Sequence, residues 1–130
     1  MTAGGILTDA VMHVAAALEA AGIVPRVYTV LQPGYATLTP PFVAVDAPSL
    51  TDWTGYLSAN PSATVDVPVR VSGKTTADGP GILELTDAAM AALHDAGVPV
   101  SNVVPVVAAG QGVSAPMPVY VITATVTVRP

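Results

Sequence analysis

Every second residue from Val65 to Val71 is valine, while Thr64, Asp66, Pro68, Arg70 and Ser72 fill the alternate positions. A period of two marks an extended strand whose successive side chains point to opposite faces. A chain built around such a strand must supply a second layer to cover the valine face. The C-terminal run repeats the pattern, with Tyr120, Ile122, Ala124, Val126 and Val128 on one side and Val119, Val121, Thr123, Thr125 and Thr127 on the other. β-Branched residues dominate it, as a pleated surface favours. Pro68 has no N–H to donate to a ladder, so it predicts an edge position or a bulge for its strand. Shorter strands are expected at Phe42–Asp46, Val103–Ala108 and Arg26–Leu31.

The covering layer is written at a period of 3.6. Val11, Val14, Ala15 and Leu18 form one apolar stripe, and the opposite side of the same helix carries the small residues Ala16, Ala17 and Ala20. Two segments share one opening phrase, Leu7-Thr8-Asp9-Ala10-Val11-Met12 and Leu85-Thr86-Asp87-Ala88-Ala89-Met90. Thr is read as the N-cap, Asp as a complement to the helix dipole, and Leu with Met as a hydrophobic staple. Both segments end alike, Gly22 before Pro25 and Gly97 before Pro99, which is the glycine-then-proline stop of a helix. Helices are therefore expected at 8–21 and 86–96. The order of elements predicts a single α+β domain over residues 1–130, with two helices packed on one face of a mainly antiparallel sheet. Val65, Val67, Val69, Val71, Val11, Leu18 and Leu93 are its expected core.

Three segments read as loops: Ala47–Ser62, Gly73–Glu84 and Gly110–Pro118, the last turning a hairpin into the final strand. Loops of this length in a small domain are usually functional or mobile. The first holds the only Trp of the chain, Trp53, near Tyr56. These aromatics anchor either their own loop on the core or a neighbouring subunit, where Trp and Tyr are enriched at hot spots, and the sequence does not choose between the two.

Composition enters at the surface. Charged residues make up 10% of the chain against about a quarter in an average soluble domain, and 52% of residues are hydrophobic. Apolar residues nevertheless alternate with Thr, Ser, Pro and Gly, and no run approaches the roughly 20 residues of a membrane-spanning helix. A surface this poor in charge implies cover by other protein, so an assembly subunit is the first expectation. The first five residues have no basic region of the kind that opens a secretory signal. With four Lys and Arg against nine Asp and Glu, the net charge is −5, and Arg26, Arg70, Lys74 and Arg129 form no cluster. Phosphate-backbone binding relies on such clusters, so nucleic-acid binding is disfavoured.

Catalytic and metal-binding patterns are scarce. Cysteine is absent, which removes disulfides, thiolate metal sites and Cys nucleophiles. His13 and His94 stand alone, and the adjacent pair His94-Asp95 points in different directions on a helix. Gly110, Gly112 and Ala115 match a dinucleotide-type glycine pattern, but Pro116-Met117-Pro118 and a strand follow where the phosphate site needs a helix N-terminus. Asp66 reads as a solvated strand residue and Asp78-Gly79 as a turn. No enzyme, metal or cofactor is expected.

The order of these signals is similar to that of a known family. The chain opens with an amphipathic helix ending in Ala-Gly and an X-Pro turn, followed by the Thr-Pro-Pro-Phe-Val-Ala-Val strand (Thr39–Val45) and a long Trp-containing loop. The Val-alternating strand, a second Ala-rich helix ending in Asp-Ala-Gly-Val-Pro (Asp95–Pro99) and two closing strands complete it. This resembles the tail terminator, or tail-completion, proteins of long-tailed siphovirus-type phages, particularly those infecting actinobacteria. The resemblance spans most of the chain and rests on element order and the Pro-Pro-Phe-Val strand; no residue matches a functional motif of the family. It implies a structural virion protein, assembled in the host cytoplasm, that forms a hexameric ring at the tail–neck junction. Such a ring ends polymerisation of the tail tube protein, joins the head–tail connector and lets DNA pass through its lumen without specific binding. Trp53, Tyr56, Leu57, Arg70 and Lys74 are the residues assigned here to subunit or partner contacts. A head–tail adaptor, a tube subunit, or a small non-viral binding domain are the alternatives.

Overall fold

The structure, a computed structural model, describes residues 5–24, 26–32, 42–54, 62–72, 79–108 and 117–128. Its elements in chain order are α1 (Gly5–Ala20), β1 (Val27–Thr29), β2 (Phe42–Val45), β3 (Ser49–Thr54), β4 (Ser62–Ser72), α2 (Gly79–Asp95), β5 (Val100–Ala108) and β6 (Met117–Val128). The fold is α+β: two helices pack with a mixed sheet of six strands in the order β1-β2-β4-β6-β5, and β3 pairs with β4 beyond the end of β2. Only the β1–β2 pairing is parallel.

The alternating valines place the core. Val65, Val67, Val69 and Val71 of β4 stand in register with Val126, Ala124, Ile122 and Tyr120 of β6. All four valines, Ile122 and Ala124 are fully buried. Val11, Val14 and Leu18 from α1 and Ala89 and Leu93 from α2 close over them in one apolar cluster, so both helices lie on the same face of the sheet. The expected core residues are all in it.

Pro68 has a different explanation from the one the sequence suggested. β4 is a central strand, paired without interruption to β6. The Pro68 carbonyl accepts from the Asp46 N–H at 2.8 Å, and N–H and C=O of one strand residue point the same way, so the missing donor faces the β2–β3 side. There β2 ends at Val45 and β3 begins at Ser49. The proline thus occupies the handover between two partner strands and costs the β4–β6 ladder nothing; the register shift on this side comes later, between Leu50 and Asp52.

Both helices start earlier than their Thr-Asp phrases. α1 begins at Gly5 and α2 at Gly79, with Pro80 in its first turn, where a missing N–H is harmless. Thr86 is no N-cap: it is buried in the helix interior, and its hydroxyl donates to the Ile82 carbonyl one turn back at 2.8 Å. Thr8 lies inside α1 as well. Leu7 and Met12 are exposed and form no staple, while Leu85 and Met90 pack against the core from within α2. The C-terminal stops are as expected. Gly97 has φ 75°, its N–H donates to His94 O, and the Val98 N–H donates to Leu93 O, with Val98 buried. That is the Schellman arrangement, and Gly22 (φ 65°, donating to Glu19 O) ends α1 in the same left-handed conformation.

All three expected loops shorten. Residues 49–54 of the first are strand β3, residues 79–84 of the second belong to α2, and residues 117–118 of the third belong to β6.

Candidate interaction surface

The face of the sheet away from the helices is graded along its strands. At one end Phe42, Ser72, Val119 and Val106 lie side by side in register, followed by Ala44, Arg70, Val121 and Val104. Phe42, Ala44, Ser72 and Val119 are buried, although both described helices pack on the other face. Further along, Pro68, Thr123 and Asn102 share a row, then Asp66 with Thr125 and Thr64 with Thr127. The sheet therefore offers aliphatic groups at one end and hydroxyls at the other, with little charge.

The one described ion pair is internal to this face. Arg70 Nε–H donates to both carboxylate oxygens of Asp46, at 2.9 and 2.8 Å, and its guanidinium lies 5.6 Å from the centre of the Phe42 ring. Pairing of Ala44 with Arg70 puts Asp46, two residues on and on the same side, within reach. Arg70, expected at subunit or partner contacts, is partly exposed and is paired with Asp46 of its own chain. Asp66 accepts a 3.3 Å hydrogen bond from the Thr125 hydroxyl, so this carboxylate has a neighbour across β4 and β6.

The other sequence-assigned residues are not brought together with Arg70. Trp53 lies on β3, its backbone in register with Ala63, so it belongs to a strand and not to a loop. Tyr56, Leu57 and Lys74 lie outside the described residues, as do Gly110, Gly112 and Ala115. The chain that follows that glycine pattern is strand β6, from Met117. Asp78 is also outside, and Gly79 opens α2 where a turn was expected.

The histidines are exposed, His13 on α1 and His94 in the last turn of α2. His13 borders an open depression of about 310 Å³ lined also by Gly97, Val98, Pro99, Thr125, Val126 and Thr127. None of the residues that line this depression is acidic. Among the described residues no three His, Asp or Glu side chains lie close enough to hold a metal ion.

Sequence reasoning missed the exposed large apolar residues at the two margins of the sheet. Val104 (40% exposed) and Val106 (45%) are on β5; Leu31, just after β1, and Leu50, on β3, are on the other side. A strand's face can be read from its period, but its place at the margin depends on pairings made by residues far away in the chain.

Charge divides between the layers. α1 and α2 contain Asp9, Glu19, Glu84, Asp87 and Asp95 and no Lys or Arg. From Ala96 to Val128, which includes β5 and β6, there is no charged residue at all.

Among known protein families the chain matches no family model, and no characterised protein matches its sequence.

Proposed function

We propose that this chain is a structural subunit that assembles into a ring at the head-proximal end of a phage tail tube, ends tube polymerisation and joins the tail to the head connector. One observation carries the proposal: a complete core coexists with exposed large aliphatic side chains on the sheet layer, Leu31, Leu50, Val104 and Val106. Apolar surface beyond that of a solitary domain marks sites of protein contact. The element order that resembles the tail-terminator family supports the particular assembly. No helix among the described residues is long and apolar enough to cross a membrane.

In this reading Trp53, Tyr56, Leu57, Arg70 and Lys74 serve neighbour or partner contacts, and hexamer is the expected ring size. Six copies at −5 each make an acidic ring. A neutral or negative lumen repels phosphate and lets DNA slide, whereas a basic one would release counterions and hold it. With Arg70 neutralised by Asp46, the described residues concentrate no positive charge. A phage lacking this protein is expected to make tails of abnormal length, or normal tails that fail to join heads, as seen by electron microscopy. Infectious particles of normal length without it would refute the proposal.

A further inference from the structure

We propose that the aliphatic end of the far sheet face docks an unlike protein segment, one that brings a carboxylate to Arg26 and aliphatic side chains to Val121 and Val104. The biological use of such a surface rests on the assembly role proposed above, whereas its evidence is one row of side chains crossing the sheet. Tyr28, Ala44, Arg70, Val121 and Val104 stand side by side in register, one each from β1, β2, β4, β6 and β5. Four strand spacings make the row about 19 Å long. Val27 and Val43 point into the core beneath the helices, so their neighbours Tyr28 and Ala44 point the other way. Ala44 is fully buried, Tyr28, Arg70 and Val121 are half-buried, and Val104 is exposed.

Arg26 lies at the β1 end of this row. It is exposed, and its guanidinium lies 4.9 Å from the centre of the Tyr28 ring. Stacking holds a long side chain in one direction, so less rotamer freedom is lost when an anion docks on it. Arg and Tyr are also the residue types that most often carry binding energy at protein contacts.

Charge selects the occupant. Arg70 is matched by Asp46, but Arg26 has no ion pair among the described residues, in a chain of nine Asp and Glu against four Lys and Arg. The five carboxylates of the helices belong to the layer on the other side of the sheet. A carboxylate fits the fork of the guanidinium, and the aliphatic remainder of the row takes apolar groups without desolvating an ion. A nucleic acid would meet one cation here and the repulsion of a net charge of −5. A second copy laid face to face brings Arg26 no counter-charge, since Asp46 beside this row is already bonded to Arg70.

The segment lies across the strands on side chains and does not add as a further strand. At β1 the Val30 N–H turns toward β2, where Val45 O accepts it, so Thr29 turns its backbone outward. Gln32 closes that edge: its Oε1 accepts from the Thr29 N–H at 3.2 Å, and its N–H donates to Thr29 O at 3.0 Å. At the other margin, the Pro68 carbonyl turns toward β2, so the odd-numbered residues of β6 turn theirs toward β5, as the Thr125 N–H to Pro99 O bond at 2.9 Å also shows. Asn102, Val104 and Val106 therefore bond to β6, and Val103, Pro105 and Val107 present their backbone to the open edge. Pro105 has no N–H to give, and proline on an edge strand blunts pairing with another strand.

The test titrates isotope-labelled protein with a synthetic peptide, leucines in one half and glutamates in the other, followed by amide NMR. A length of about 13 residues spans the row as a helix. Three further titrations use the same peptide with Gln for Glu, an oligothymidylate, and the Arg26→Gln variant, whose fold is checked by circular dichroism. The Leu/Glu peptide is expected to shift the signals of Tyr28, Arg70, Val121 and Val104. Replacing Glu by Gln, or Arg26 by Gln, should each weaken binding about threefold, as for a partly screened ion pair. The two changes together should cost no more than one alone, because they remove the same pair. No binding, equal affinity for the Glu and Gln peptides, shifts confined to the helices, or tighter binding of the oligothymidylate would overturn the proposal. So would an Arg26→Gln variant that loses self-association in sedimentation velocity while binding the peptide as wild type does, since a copy of this chain would then be the occupant. Tube protein enters none of these measurements, so a positive titration with unchanged tail length would count against the tail role alone.

Discussion

At the scale of single residues, backbone geometry decides more than side-chain contact. Gly97 adopts φ 75° at the end of α2, and a Cβ built there meets nothing within 4 Å. Gly97→Ala is therefore expected to cost about 1 kcal/mol from left-handed strain alone, measured as a lower urea midpoint with unchanged slope. Thr86 shows where residue-level reading failed. As an N-cap it would lose about 1 kcal/mol on replacement by valine. As a buried helix residue bonded back to Ile82 O, it exchanges a neutral hydrogen bond for a buried methyl group. Those terms, each about 1 kcal/mol, nearly cancel. Thr86→Val should leave stability within about 0.5 kcal/mol, again by urea unfolding. The cap pattern misled because Thr-Asp is equally compatible with a helix already under way, and Gly79-Pro80-Gly81 upstream has the composition of a loop. The Arg70–Asp46 pair was not legible either. Its members are 24 residues apart, and only the β2–β4 register brings them together.

At the scale of elements, the periodic segments were the readable ones. β4 and β6 are long enough for alternation to define both faces, and α1 and α2 carry their core residues at helical spacing. β3 was hidden because Ser49–Thr54 has no alternation of its own and gains its order from pairing with β4. Strand neighbours were equally hidden, so Pro68 pointed toward an edge that its strand does not have. Pro105 is the proline that sits on an edge, and its substitution tests the β5 geometry. Pro105→Val restores an outward N–H between those of Val103 and Val107 and completes an uncharged, β-branched edge. Such edges template further strand addition. The variant is expected to aggregate faster than wild type, with higher thioflavin fluorescence at equal concentration. Equal aggregation would mean that residue 105 does not face the open edge.

At the scale of the whole molecule, charge is uneven: the helices hold five carboxylates and no Lys or Arg, β5 and β6 hold no charged residue, and the charges of the sheet lie on or beside β1 to β4. A monomer gains nothing from such a surface, since each exposed aliphatic stays in water. In the proposed ring, contacts with neighbouring copies and with tube and connector would take these aliphatics out of water. Closure matters because an apolar head-to-tail contact that failed to close would grow into a filament. The central claim, that the assembled chain stops tube growth, is tested most directly by polymerising purified tail tube protein with and without it and measuring tube lengths by negative-stain electron microscopy. The account predicts that substoichiometric amounts cap tube ends and shorten the tubes, with a ring visible at one end only. Tubes of unchanged length, with this protein absent from their ends, would contradict it.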